Sequence, residues 1–325
     1  MMIGVRLATS AIVLALALAA APAEPVIENQ SPVISTDGSR IAFLSNRDGQ
    51  PDIYVMRADG TNVVRLTRSE EQESAPYWSP DSKRIQFAVS GKDSSRIDSI
   101  DVDGSNQKTI GTVPERMVGF SRDGSRVFVA RGTWTEVKLL LMDLDGSHPK
   151  QLTDGSSVAW NPKSSPDEKV IAYTGRDVSG ILHIYVMDAD GSQPRQLTHI
   201  DSSEGQGQCP AWSPDGRRLA IQTSRKDHMG YVWIVDYPSG TAHKLAAHDA
   251  TFEDELPVWF PDGKRLAFQS NRSGRMEVWT MNADGTHLRQ LTGAPASVSS
   301  GASAHEGEQA SLPATDGRLA RRGFP

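Results

Sequence analysis

Cysteine is nearly missing from this chain: Cys209 is the only one in 325 residues. No internal disulfide can form, so stability has to come from buried apolar surface. An excess of positive charge is missing as well, because 34 Lys and Arg stand against 40 Asp and Glu, a formal −6. A nucleic-acid partner is therefore not expected, since phosphate binding needs a basic face that displaces counterions. No long apolar run follows residue 23, so no transmembrane segment is expected. A Gly-x-Ser-x-Gly nucleophile elbow is missing, and no Ser/His/Asp order or activated-cysteine setting is legible.

What is present begins with Arg6 and the run "AIVLALALAAA", closed by Ala21-Pro22-Ala23 ahead of Glu24. The pattern is that of a secretory signal over residues 1–23 with an Ala-x-Ala cleavage site. Cys209 lies far from that site, so no lipidated cysteine is expected there, and the mature chain is expected to be exported to the periplasm as a soluble monomer.

The mature chain repeats itself. "DIYVMRADGTNVVRLT" at 52–67 returns as "HIYVMDADGSQPRQLT" at 183–198 and "EVWTMNADGTHLRQLT" at 277–292. Aligned on its turn glycine, one column holds Gly60, Gly104, Gly146, Gly191, Gly240 and Gly285, at spacings of 44, 42, 45, 49 and 45. A second column holds Asp37, Asp81, Asp123, Asp167, Asp215 and Asp262. Each copy fits four strands. The first ends on a large residue such as Trp78, Phe120, Trp160, Trp212 or Trp259; the second alternates, as in "RIAFLS"; the third is β-branched and aromatic; the fourth is short. Pro-Asp-Gly turns join strands one and two, and Ala-Asp-Gly turns join three and four. Ser82 stands where glycine is elsewhere, Arg122 where proline is, and "NPKSSPDEK" reads as an expanded turn in the fourth copy. A period in the forties with four strands per unit predicts an all-β fold, a six-bladed β-propeller of four-stranded antiparallel blades, over residues 24–292. The blades are expected at 31–67, 75–110, 117–153, 158–198, 209–246 and 256–292, and residues 293–325, rich in Ala, Ser and Gly, are expected to be a disordered tail.

The "WSPDG[KR]" and "[IV]YVM.ADG[ST]...QLT" motifs over residues 31–292 resemble the PD40 or TolB-like propeller repeat family. The resemblance implies a periplasmic component of the Tol-Pal envelope system that docks a Pal-like lipoprotein. Only Glu24 to Gln30 separate the expected cleavage site from blade one, so the α/β domain that TolB carries there is not expected.

Strand order places the loops between strands two and three on the face that also carries the interblade linkers. Those linkers are acidic: Glu70, Glu71 and Glu73; Asp201 and Glu204; Asp249, Glu253, Asp254 and Glu255. This rim of the channel mouth is the candidate docking surface for a protein partner, with Trp134 in "RGTWTE" as an aromatic anchor. The competing expectation is that the acids pair locally with Arg47, Arg131, Arg176, Arg225 and Arg272 in neighbouring loops. Asp-x-Asp-Gly runs lack the further ligands of a calcium loop and are expected to serve as turns. No cofactor, metal or catalytic set is expected. The alternatives are a carbohydrate lyase or hydrolase using mouth carboxylates with His199 or His248, and a sensor of a small ligand or cation.

Overall fold

In the computed structural model, which describes residues 26–91, 94–114, 116–133, 136–225, 230–245 and 252–293, period-two segments become strands and the glycine turns become hairpins. The described strands form six sheets of four, each an antiparallel meander of consecutive strands. The first strands, Asn29–Ile34, Glu73–Trp78, Arg116–Phe120, Ala159–Ser164, Gln206–Trp212 and Asp254–Trp259, meet one another around the ring axis. The fourth strands lie outermost and run two or three residues, except Lys108–Val113 in blade two. This is the six-bladed propeller expected from the repeat.

The repeated words have local physical causes. In "QLT" the leucine is buried, as at Leu66, Leu152, Leu197 and Leu291. The threonine hydroxyl accepts a third-strand N–H that the short fourth strand cannot reach: Ile53 to Thr67 (2.9 Å), Ile184 to Thr198 (3.0 Å) and Val278 to Thr292 (2.8 Å). In the first turn a buried serine donates to the column aspartate, 2.6 Å for Ser35 to Asp37 and for Ser213 to Asp215, while its oxygen accepts from Arg40 and Arg218 at 2.9 Å. In the second hairpin the glycine is demanded twice. Gly191 sits at φ +91, and a Cβ there would lie 2.8 Å from the Leu152 carbonyl oxygen of the preceding blade; at Gly240 the corresponding approach, to Leu197, is 2.1 Å.

Blade four corrects two expectations. Its first turn is not expanded, because Glu168, at φ 58, occupies the glycine position and bonds back to Ser165 at 3.0 Å, just as Ser82 does at φ 57 in blade two. Trp160 does not end the first strand; Ser164 does, and "NPKS" is strand rather than loop. Alignment on the proline after a left-handed residue (Ser31, Asn161, Cys209, Leu256) gives the true register, and each of these four marks a bulge in its strand. The three tryptophans that do end first strands clasp the preceding blade, Trp78 donating to Val33 O (3.1 Å), Trp212 to Lys163 O (3.0 Å) and Trp259 to Ala211 O (3.1 Å).

Six apolar cores fill the six seams between adjacent blades. The closing seam is built like the others, with Phe260, Val278 and Leu291 of blade six against Ile41, Phe43 and Met56 of blade one. Asn29 N–H donates to Met276 O at 2.9 Å and Ser31 N–H to the Gln269 carboxamide oxygen at 2.8 Å. The second bond recurs between blades five and six as Leu256 N–H to Gln222, also 2.8 Å. Among the described residues no strand crosses from one blade's sheet to another, so packing, the Asn29–Met276 backbone bond and the Ser31–Gln269 bond close the ring.

Candidate functional site: the channel mouth and its shaft

The strand order makes each chain segment leave its fourth strand on the mouth face and enter the next first strand there. The mouth carboxylates therefore sort by how far down that strand they lie. Glu73, the first residue of its strand, is buried at the seam of blades one and two. It accepts from the Thr67 hydroxyl at 2.5 Å, and its Oε1 has no hydrogen-bond partner among the described residues. Burial pushes its carboxyl up to about 7, against the hydrogen bond from Thr67, with Asp52 adding repulsion. Asp254, the matching residue of blade six, is buried against Arg272, whose guanidinium reaches both carboxylate oxygens at 2.7 and 2.5 Å and also faces Phe252, Phe268 and Trp279. Local pairing with an arginine is thus realised for Asp254. The equivalent Arg47 of blade one instead donates to Asn29 at 2.6 Å, in a seam whose carboxylate comes from Glu277.

The remaining acids lie nearer water. Glu70 is exposed; Glu71 is exposed and paired with Arg96 at 2.7 Å. Asp201 caps a single 3-10 turn, Ser202–Glu204, by accepting from Ser203 N–H at 2.8 Å, and Glu204 pairs with Lys244 at 2.9 Å. Glu253 is half-buried and exchanges bonds with Asn271. Glu255 is half-buried, accepts from Gln269 at 2.9 Å, and burial raises its pKa. Asp249, Trp134 and His248 lie outside the described residues. Among the described residues the exposed part of the rim is consequently Glu70, Glu71 and Asp201, with Glu204 half-buried, on the linkers that follow blades one and four.

Two groups escaped the sequence reading. His183, at the start of its blade's third strand, is buried with Nε2 3.4 Å from Asp177 and its ring 6.5 Å from that of the exposed His199. Burial lowers its pKa, against the pull of Asp177. Its place inside "HIYVM", read as an ordinary strand, concealed it. Lys163 was hidden by the misplaced turn of blade four. Tyr77 packs on Phe120 with ring centroids 5.1 Å apart, and Tyr231 is buried beneath Lys244, whose ammonium lies 3.5 Å from the ring centre. No helix among the described residues is long and apolar enough to cross a membrane.

The TolB beta propeller domain family (PD40) matches residues 23–116 and 196–316. The chain is 30% identical over 141 residues to an uncharacterized peptidase, YuxL, of Bacillus subtilis, which is 43% of this chain and 20% of that protein. It is 28% identical over 144 residues to a TolB homolog of Chlorobium luteolum, 43% of this chain and 32% of the relative. The chain thus spans a third or less of the length of these relatives. The crystal structure of TolB from Acinetobacter baumannii superposes with a TM-score of 0.65 at 21% identity, over 79% of this chain and 64% of that one, a likeness that shows the fold alone. With the family match covering both ends of the ring and the six-bladed architecture in place, the chain belongs to the TolB beta propeller domain family.

Proposed function

We propose that this protein is an exported, periplasmic interaction scaffold of the cell envelope that docks a protein partner, of the Pal-like lipoprotein kind, on its channel mouth. Membership of the TolB beta propeller family carries this reading. The mouth supports it physically. Glu70, Glu71, Asp201 and Glu204 stand on short linkers held by rigid blades, Glu71 and Glu204 already paired with Arg96 and Lys244, an arrangement that offers positioned carboxylates to a basic partner at little ordering cost. The anchor expected of Trp134 and the charge of Asp249, Glu253 and Glu255 belong to the same proposal. The test is retention of envelope proteins by the immobilised chain, beside a variant carrying Glu70→Lys, Glu71→Lys and Glu204→Lys. A protein held by the parent, lost by the variant and cross-linked to the mouth linkers supports the reading. Equal retention by both removes the mouth as the site.

A second reading, a propeller enzyme acting on oligosaccharides, draws on His183 and His199 lying together with Asp177 on the mouth face. It is tested by incubation with oligogalacturonates and with His199→Ala as control, and absence of cleavage rejects it.

A further inference from the structure

Blade four breaks the repeat at the ring axis. Aligned on its proline, Lys163 falls in the column that holds Val33, Tyr77, Ala211 and Val258 in four other blades. Each of those packs against the apolar core shared with the following blade. A lysine where packing asks for an apolar side chain is a local conflict of the sort that marks a functional position.

Its surroundings point the same way. Lys163 keeps an exposed side chain although it springs from an innermost strand, and its own carbonyl is fixed by Trp212 of blade five at 3.0 Å. The walls around the shaft pull its pKa down although the side chain itself is exposed, and no carboxylate among the described residues is ion-paired with it. Cys209 lies on the facing strand, its Sγ 3.2 Å from the Asn161 carboxamide nitrogen, and burial pushes its thiol up to about 12. Glu255, one blade further on, already accepts from Gln269 at 2.9 Å. When protonated, Lys163 therefore puts a positive charge on the axis with no ion-pair partner among the described residues, and an anion that enters the shaft would both pair with it and favour its protonated form.

We propose that the channel wall between blades four and five is a binding site for a small anion of the carboxylate or phosphate class, held by Lys163 with Asn161 and Cys209 beside it. Lysine acts as a point charge with rotatable donors, so the site selects charge and size more than geometry. The site does not depend on what docks at the mouth.

Reductive methylation with carbon-13 formaldehyde gives each lysine of the full-length chain a resolved methyl signal, and the one absent from Lys163→Met belongs to Lys163. Succinate and inorganic phosphate, added separately, are expected to shift that signal saturably and to leave the Lys83 and Lys264 signals in place. Sodium chloride at matched ionic strength is expected to do much less. Saturation with one anion and not the other names the class. A Lys163 signal that moves no more than those of the surface lysines, or moves equally with chloride, overturns the site. Lys163→Met carries a side chain suited to the column, so its folding is read independently from its denaturation midpoint.

Discussion

Replacing Glu73 by glutamine should remove one specific part of the protein's pH dependence. Glu73 is 3% exposed, and its carboxyl is moved from 4.5 to about 7, first by burial. Across that window the folded chain keeps a proton that the unfolded chain has released, so this group's contribution to stability falls as pH rises and is fully lost above about pH 7. The ceiling is about 3 kcal/mol, at about 1.4 kcal/mol per pH unit. The closing seam shows what glutamine would do. There the Asn29 amide donates to Glu277 at 2.7 Å while Thr292 donates to the same carboxylate at 2.5 Å. At the seam of blades one and two the corresponding pair is Glu73 and Asp52, and Glu73 Oε1 and Asp52 Oδ2 are both buried without a hydrogen bond, although Asp52 is ion-paired with Arg65 at 2.6 Å. The glutamine amide supplies a permanent donor where a protonated carboxyl supplies one only at low pH. Denaturant unfolding of the parent and Glu73→Gln from about pH 4 to about pH 9 should give near-equal stability at the acid end and a variant more stable by up to about 3 kcal/mol at the alkaline end. The turn aspartates, held below the usual range by serine hydroxyls and backbone N–H groups, change the comparison only at lower pH. A difference between the two proteins that stays flat from acid to alkaline pH would refute this account of Glu73.

Other perturbations test the seams. Arg272→Ala removes the guanidinium that reaches both oxygens of Asp254, which is 1% exposed, and should cost about 3 to 5 kcal/mol in denaturant unfolding; Arg47→Ala, opposite the neutral Asn29, should cost clearly less. Gly191→Ala should destabilise well beyond Gly180→Ala, since both have left-handed φ, +91 and +83, but only Gly191 has a carbonyl within 2.8 Å of the new Cβ. The φ penalty alone is about 1 to 2 kcal/mol, and equal losses would show that the hairpin contact yields freely. Thr198→Val keeps shape but orphans the Ile184 N–H, with an expected loss of about 1 to 3 kcal/mol and faster amide exchange at Ile184.

The repeat was legible because its conspicuous residues are bound by backbone geometry. Gly60 and Gly191 carry left-handed φ against a neighbour's carbonyl, Ser213 and Asp215 close a turn, and Thr198 caps a strand donor; these roles recur in most blades, so the letters recur. Which face of a seam a carboxylate meets was not legible. Glu71 and Glu73 are two residues apart in one acidic run, yet the first faces water beside Arg96 and the second is sealed under Thr67, because the strand begins between them.

The register of blade four failed for a related reason, and that failure bears on function. Trp160 fits the pattern of a strand ending on tryptophan, yet it lies four residues before the true end at Ser164, while the left-handed Asn161 before Pro162 is the feature shared with Ser31, Cys209 and Leu256. A proline after a left-handed residue constrains the backbone in four blades, whereas the large residue that ends the strand answers to packing and can be replaced. Once the backbone landmark sets the register, Trp160 and Lys163 stand out as departures in columns that four other blades fill with Gln30, Ser74, Gln208 and Glu255 and with Val33, Tyr77, Ala211 and Val258. The turns of a repeat protein show how it folds, and the first strand, whose edge lines the axis, is where one blade can differ without unpairing its neighbours.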